Sequence, residues 1–358
     1  MISAAIRLLS LVLLAPQIGA ATQDAVAEAA RGAALAREGK YDLAITHYNA
    51  ALRLDSHLPG LYLNLGLAYF KSKRLPEAAG AFEKAVRADS SSFQARALLG
   101  MSYYGSGRYR DAAPQLKLAS EAQPDNQELR YTLAQSYLWS EQYSEALREF
   151  QFLLSKDPDS APVHILLGEA LDASNRTEAA TAEFEAAVRA STVPPNAHFG
   201  LGYLLFTQKQ YAEAISEFKA ELALDPNHAQ SMLYIADSQV QLNQYDDAKL
   251  LLEKAVKLDP SLGLAHLDLG IVAANQGRNE DALREFLTAE KLNPEDVNVH
   301  WRLGRLYRAM GKKAEAKIEL DKASSITRSA NQELYRKIGG SQAGPPKTEP
   351  AASAEDPK

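Results

Sequence analysis

The sequence predicts an all-α fold in which one short helical unit recurs along most of the chain. Three observations support this. A small residue returns every 34 positions without an insertion, alanine always follows twelve positions later, and a large apolar residue follows four positions after that. A fixed period of this length is typical of stacked repeat architectures. The small residues are Gly32, Gly66, Gly100, Ala134, Gly168, Gly202, Ala236, Gly270 and Gly304.

Each unit has the pattern of two short amphipathic helices joined by a polar turn. When the small residue is counted as the eighth of its unit, nine units cover residues 25–330. Glycine at the turn favours a left-handed backbone, and proline near the end of the unit stops the second helix. The units start at residues 25, 59, 93, 127, 161, 195, 229, 263 and 297. The turn glycines are Gly39, Gly107, Gly277 and Gly311.

The small residues at the eighth and twentieth places predict where the two helices of a unit cross. Helix axes about 8–10 Å apart leave no room there for a branched side chain. The large apolar residue at the twenty-fourth place, such as Phe218 or Phe286, is predicted to fill the space between one unit and the next.

This pattern resembles the tetratricopeptide repeat, and nine units in unbroken phase make the resemblance specific. The resemblance implies a right-handed α-solenoid whose first helices line a concave face. It also implies a protein or peptide partner held on that face, since this is how members of the family act.

The ends of the chain differ from the repeats. Residues 1–21 combine Arg7, a short apolar run and small residues where a signal peptidase would cut, which is the pattern of a secretory signal peptide. We therefore expect an exported protein, periplasmic or secreted, that meets the membrane only during export; a permanent N-terminal membrane anchor is the alternative. Residues 331–338 are predicted to form a short capping helix, and residues 340–358 a disordered tail.

Composition excludes several function classes. A net charge of −6 with evenly spread lysine and arginine argues against a nucleic-acid partner. The chain has no cysteine, which removes disulfides and thiol nucleophiles. Neither a phosphate-binding loop nor a nucleophile elbow is present, so we expect no enzyme activity and no cofactor.

Four histidines share the fourth place of their units, a row of potential metal ligands that could suggest metal binding. Equivalent side chains on neighbouring repeats are about 8–10 Å apart, too far to share one ion with bonds of about 2 Å. We therefore expect no metal site and interpret these residues as structural wedges between helices. They are His164, His198, His266 and His300.

The resemblance assigns the concave groove to certain places on the first helices, and many of those places are apolar or aromatic here. Exposed apolar patches tend to be binding sites, although part of this stripe could instead be core. The candidate peptide-binding residues are Leu63, Leu67, Phe70, Met101, Tyr104, Tyr131, Gln135, Trp139, Asn196, Phe199, Tyr203, Phe206, Trp301 and Arg305.

The expected function is that of a non-catalytic adaptor that holds a polypeptide segment in this groove, in envelope assembly or secretion. Two alternatives remain open. The chain could be a self-associating structural protein, or an accessory solenoid that guides a glycan or polymer along Trp139 and Trp301 for a partner enzyme.

Overall fold

The computed structural model describes residues 20–339, with side chains from Thr22 to Glu333. The predicted signal peptide lies outside the described residues except for its last two alanines, which begin the first helix. The predicted disordered tail, residues 340–358, also lies outside them.

The chain divides into two compact units: unit 1 ends at Ala190 and unit 2 begins at Ser191. Unit 1 contains α1 (Ala20–Arg37), α2 (Tyr41–Leu54), α3 (Leu61–Lys71), α4 (Leu75–Ala88), α5 (Phe93–Gly105), α6 (Tyr109–Ala122), α7 (Gln127–Trp139), α8 (Tyr143–Lys156), α9 (Ala161–Ala173) and α10 (Thr177–Val188). Unit 2 contains α11 (Ala197–Thr207), α12 (Tyr211–Leu224), α13 (Ala229–Gln241), α14 (Tyr245–Leu258), α15 (Gly263–Asn275), α16 (Asn279–Leu292), α17 (Val297–Ala309) and α18 (Lys313–Gly339). The predicted all-α class is confirmed, and no strand occurs within residues 20–339.

Helices pack in the order in which they occur in each unit. The two helices of a repeat pack on each other, and the second packs on the first helix of the next repeat. First helices also contact the first helix of the next repeat, as α3 contacts α5 and α13 contacts α15. The first helices therefore form one continuous surface in each unit, which we call the inner face.

The small residues at the helix crossings are required by close packing. A Cβ added to Gly202 would lie 2.8 Å from the ring of Phe218, and one added to Gly32 would lie 2.8 Å from the ring of Tyr48. The prediction for the twenty-fourth place needs a correction, because these rings cover the glycine of their own repeat. Phe218 in addition stacks on Tyr234 of the next repeat, with ring centroids 5.6 Å apart.

The turns between paired helices all use a left-handed residue at the fifteenth place of the repeat. The four predicted glycines have φ between 73° and 76°, which confirms that prediction. The other five turns place larger residues in the same conformation, with φ between 57° and 64°. These residues are Lys73, Glu141, Asn175, Lys209 and Asn243.

The predicted capping helix at 331–338 is not a separate element. Instead, α18 continues without a break from Lys313 to Gly339, so those residues form its last turns. Among the described residues, no helix combines the length and apolar character that crossing a bilayer requires.

Candidate functional site

The fourteen predicted groove residues are divided between the units, eight in unit 1 and six in unit 2. All of them keep some solvent-accessible surface, and Trp139, Tyr203 and Trp301 are 43%, 38% and 43% exposed. Other residues at the fifth place of their repeats belong to the core, since Leu233 and Leu267 are buried. The inner face is therefore partly core and partly accessible surface.

Aromatic side chains of unit 2 meet on its inner face. The unit 2 aromatic cluster consists of Phe199, Tyr203 and Phe206 of α11 and Tyr234 of α13. The centroid of the Tyr234 ring is 5.8 Å from that of Phe199, 5.5 Å from Tyr203 and 5.3 Å from Phe206. Because spacings of three and four residues place side chains on one face of a helix, α11 presents its three rings together. Tyr234 joins them from the next repeat.

The start of α11 is held by a side chain from its own repeat. The buried carboxylate of Glu221 accepts hydrogen bonds from the backbone N–H groups of Asn196, at 2.9 Å, and Phe199, at 3.2 Å. It thereby satisfies donors that the first turn of a helix leaves unpaired. Asn196 itself has a left-handed backbone, and its exposed side chain makes no capping hydrogen bond. This arrangement fixes the backbone from which Phe199 projects.

Unit 1 carries a second group of rings, the unit 1 aromatic cluster of Tyr104, Tyr109 and Trp139. Tyr104 stacks on Trp139 with centroids 5.5 Å apart, and Tyr109 lies 5.0 Å from the same indole. The Tyr104 hydroxyl donates to Gln135 Oε1 at 2.9 Å. Desolvation, with smaller contributions from Tyr109 and Tyr131, raises the pKa of Tyr104 to about 12. The structure thus brings together three of the predicted residues, Tyr104, Gln135 and Trp139.

A cavity of about 260 Å³ opens beside this cluster, at the turns of repeats 3 and 4. Tyr109 and Trp139 form its aromatic side, and Arg110, Asp111 and Glu141 contribute charged groups. The remaining predicted residues of unit 1 lie half-buried on α3, α5 and α7. They are Leu63, Leu67, Phe70, Met101 and Tyr131.

Trp301 and Arg305 interact with each other on α17. The Arg305 guanidinium lies 4.6 Å from the Trp301 ring centroid, and that of Arg302 lies 5.4 Å away. Both distances fall within the range of cation–π interactions. The basic residues of the last repeat are therefore partly engaged by the indole.

The four fourth-place histidines pair with acids of their own repeats. In each pair, Nδ1 lies 2.6–2.8 Å from a glutamate oxygen nineteen residues further on. Arg130 and Glu149 form the same link at 2.6 Å in repeat 4. The pairs join the two helices of a repeat across the stack. They are His164–Glu183, His198–Glu217, His266–Glu285 and His300–Glu319.

One group of three potential metal ligands occurs among the described residues: Glu290, His300 and Glu319, with ligand atoms within 4.8 Å of one another. Lys322 donates to both carboxylates, at 2.8 and 2.9 Å, and His300 Nε2 bonds to the Pro294 carbonyl oxygen at 2.7 Å. Lys322 therefore already pairs with both carboxylates of this group.

Sequence reasoning missed two buried acids on the inner face of unit 2, Asp237 of α13 and Asp268 of α15. They are 5% and 2% exposed. Burial raises the pKa of both carboxyls, and the charge of Asp237 raises that of Asp268 further. The available signal was an acidic residue at the sixth or ninth place, where the nine repeats have only one other acid, Glu169.

Family models described as TPR repeat and tetratricopeptide repeat match most of the chain. The matched residues are 32–73, 59–92, 103–151, 131–193, 165–229, 205–267 and 267–325. The chain therefore belongs to the tetratricopeptide repeat family, whose members typically act as scaffolds for protein–protein interaction.

Solved structures show the same fold at low sequence identity. The APC/C hetero-tetramer Cut9-Hcn1 matches with a TM-score of 0.54 and 14% identity, covering 90% of this chain and 77% of that chain. PilW, a type IV pilus biogenesis factor, matches with a TM-score of 0.50 and 22% identity over 58% of this chain and 97% of that chain. Pseudomonas aeruginosa pilF matches with a TM-score of 0.52 and 21% identity over 62% and 98%, respectively. No curated protein sequence matches the chain.

Proposed function

We propose that this protein is a non-catalytic adaptor that binds a polypeptide segment on the inner face of unit 2. The observation that carries the proposal is the unit 2 aromatic cluster. Its rings come from two adjacent repeats, contact one another, and leave Tyr203 38% exposed. Tyrosine and other large aromatic residues in such patches supply much of the binding energy at protein interfaces.

The ligand that we propose is a peptide in an extended conformation. The cluster spans two first helices, whose axes lie about 8–10 Å apart when packed. Apolar side chains of a peptide lying across those helices would contact Tyr203 and Phe206, while the Tyr234 ring packs edge-on against both rings. Burial of that apolar surface would supply the affinity, at about 25 cal/mol per Å² before the costs of association.

The test is selection from a random peptide library displayed on phage, with the protein immobilised. We expect the protein to enrich peptides with apolar or aromatic residues. Combined replacement of Tyr203 and Phe206 by serine should weaken a selected peptide at least about thirtyfold, the loss typical of an interface hot spot.

The matched control changes two apolar residues on second helices of the same unit. Leu250 and Leu287 are 59% and 42% exposed, so replacing both by serine removes similar chemistry away from the inner face. This control should bind like the unaltered protein, and both double variants should keep their helical circular dichroism. Equal binding by the two double variants would contradict the proposal.

Export is proposed on the sequence of residues 1–21 alone. Mass spectrometry of the protein from its native source should find an N-terminus close to Thr22. An intact N-terminus that carries the apolar run would contradict cleavage and favour a membrane anchor.

A further inference from the structure

We propose that Asp237 and Asp268 form an acidic subsite that binds the arginine or lysine side chain of a peptide held by unit 2. The inference rests on the proposed function and specifies the chemistry of the partner. It follows from the burial, the hydrogen bonding and the charge of the two carboxylates, and from their position beside the unit 2 aromatic cluster.

The two acids occupy adjacent first helices. Asp237 lies at the ninth place of repeat 7 on α13, and Asp268 at the sixth place of repeat 8 on α15. These helices are in contact, and α15 also contacts α17, which carries Arg302. Asp237 and Asp268 occupy the same two places as Tyr203 and Tyr234 one repeat earlier, whose ring centroids are 5.5 Å apart. The repeat therefore brings the two carboxylates to the junction of α13 and α15, where the charge of Asp237 acts on Asp268.

The hydrogen bonding of the pair is incomplete. Asp237 Oδ1 accepts from Gln241 Nε2 at 2.9 Å. Asp268 Oδ2 is buried and has no hydrogen-bond donor among the described residues. A buried acceptor without a donor destabilises the fold, and more so when it is charged, so folded proteins seldom keep one without a reason.

The charge of the pair is also only partly balanced. Arg302, which is half-buried, is the cation that acts on Asp268, but its guanidinium forms no ion pair with either carboxylate and lies 5.4 Å from the Trp301 ring. Two carboxylates with one remote cation present a site for a further positive charge. A guanidinium suits it best, because its planar fork can donate to two carboxylate oxygens at once.

Burial of the acids favours a long side chain over a peptide N-terminus. Asp237 is 5% exposed, so a ligand must pass a group between the helices to reach the pair. Arginine and lysine carry their charge on a slender apolar stem that can do this.

The subsite adjoins the aromatic cluster through Tyr234, whose pKa is raised by burial and, to a smaller extent, by Tyr203 and Asp237. A step of one repeat along the inner face is about 8–10 Å, and an extended peptide advances about 3.3 Å per residue. A bound peptide should therefore carry its basic residue about three positions from the residue that contacts the aromatic cluster.

The first experiment uses the same displayed peptide library with the full protein and its Asp268→Asn variant. The unaltered protein should enrich arginine or lysine about three positions from an apolar residue. The variant should keep the apolar preference and lose the basic one. The matched control is Asp247→Asn, which removes an exposed acid on α14 and should leave the selection unchanged. In a selected peptide, replacing arginine by citrulline should weaken binding to the unaltered protein at least about tenfold and change binding to Asp268→Asn little.

Selected peptides without a basic preference, or a preference that survives in Asp268→Asn, would overturn the subsite while leaving the proposed function in place. If no peptide is selected at all, the proposed function fails and a small probe decides the inference. N-acetyl-arginine amide, but not N-acetyl-citrulline amide, should shift the backbone NMR resonances of Asp237, Gln241 and Asp268. No shift with the arginine probe would overturn the subsite.

Discussion

Units 1 and 2 place aromatic clusters on the same kind of repeat in two different ways. In unit 1, Tyr109 and Trp139 lie at the ends of their helices, beside a cavity lined by charged turn residues. In unit 2, Tyr203 and Tyr234 lie within their helices, beside two buried acids. The small and large residues that pack each repeat occupy the same places in both units. The comparison teaches that the packing positions define the fold, while the remaining positions of the first helices give each unit its own surface.

The acids sharpen this contrast. Desolvation raises the pKa of Glu169 on the inner face of unit 1, although the residue is exposed. Asp268 in unit 2 is almost completely buried and experiences the charge of Asp237, so its pKa is raised well above the usual value. Only unit 2 therefore carries a strongly desolvated pair of acids among the described residues.

The largest expected effect tests whether the helix crossings of both units are equally rigid. Gly270→Val should lower the free energy of unfolding by about 1–3 kcal/mol, because the new side chain overlaps the ring of Phe286. Gly100→Val in unit 1 should have a cost in the same range, since a Cβ there would lie 2.6 Å from Leu116 Cγ and 3.2 Å from the Leu116 backbone nitrogen. Urea denaturation followed by circular dichroism measures both.

The control for this pair is Gly80→Val, at a helical position where an added Cβ meets no atom within 4 Å. It should be neutral or slightly stabilising, because valine has the higher helix propensity. Equal stability of Gly270→Val and Gly80→Val would show that the crossing is not close-packed.

A smaller effect is expected on the pH dependence of the free energy of unfolding, to which the acids of the two units should contribute differently. The unfolded chain loses its aspartate protons near pH 4, whereas folded Asp268 retains its proton to higher pH. Its contribution to stability is therefore fully present below about pH 4 and is lost as the pH rises through the folded pKa. Asp268→Asn should remove that loss and therefore raise the free energy of unfolding at pH 7.

The matched variant in unit 1 is Glu169→Gln, which should change the pH profile less because the residue is exposed. Thermal denaturation between pH 4 and pH 8 measures both profiles. If Asp268→Asn had the profile of the unaltered protein, the carboxyl of Asp268 would not be strongly desolvated.

The smallest effect concerns the turns, where replacing a left-handed lysine by glycine should change stability by a similar amount in the two units. Lys73 in unit 1 and Lys209 in unit 2 have φ of 61° and 62°, a conformation that costs a residue with a side chain about 1–2 kcal/mol. Glycine avoids that cost but loses more entropy on folding, so Lys73→Gly and Lys209→Gly should each stabilise by roughly 0.5–1 kcal/mol. A lower melting temperature for either variant would be inconsistent with the turn geometry.

The sequence was sufficient to predict the helix pairs, because alanine and glycine recur at crossings where nothing larger fits. Gly202 against Phe218 is one such crossing. The sequence did not reveal that Lys209 adopts a left-handed conformation, because the hydrogen bonds that close that turn involve only backbone groups. One of them runs from the Lys209 N–H group to the Phe206 carbonyl oxygen. The sequence also predicted a break before residue 331, where α18 instead continues to Gly339.

The candidate site was harder to predict than the fold. Tyr203 and Phe206 could be found because their places are assigned to the groove by the family resemblance. Tyr234 and Asp268 occupy the sixth place, which the resemblance does not assign, so only the ring contacts of Tyr234 and the burial of Asp268 identify them. Surface chemistry in a repeat protein depends on pairs of residues about one period apart, and a single repeat read alone does not contain such pairs.

Glu221 stands where seven of the nine repeats have alanine, and its carboxylate closes the beginning of α11 from within unit 2. A fragment starting at Ser191 would therefore retain the Glu221 carboxylate, which accepts hydrogen bonds from backbone N–H groups at the start of α11. We therefore expect the chain to tolerate division before Ser191, because the four repeats that follow keep the carboxylate that caps their first helix.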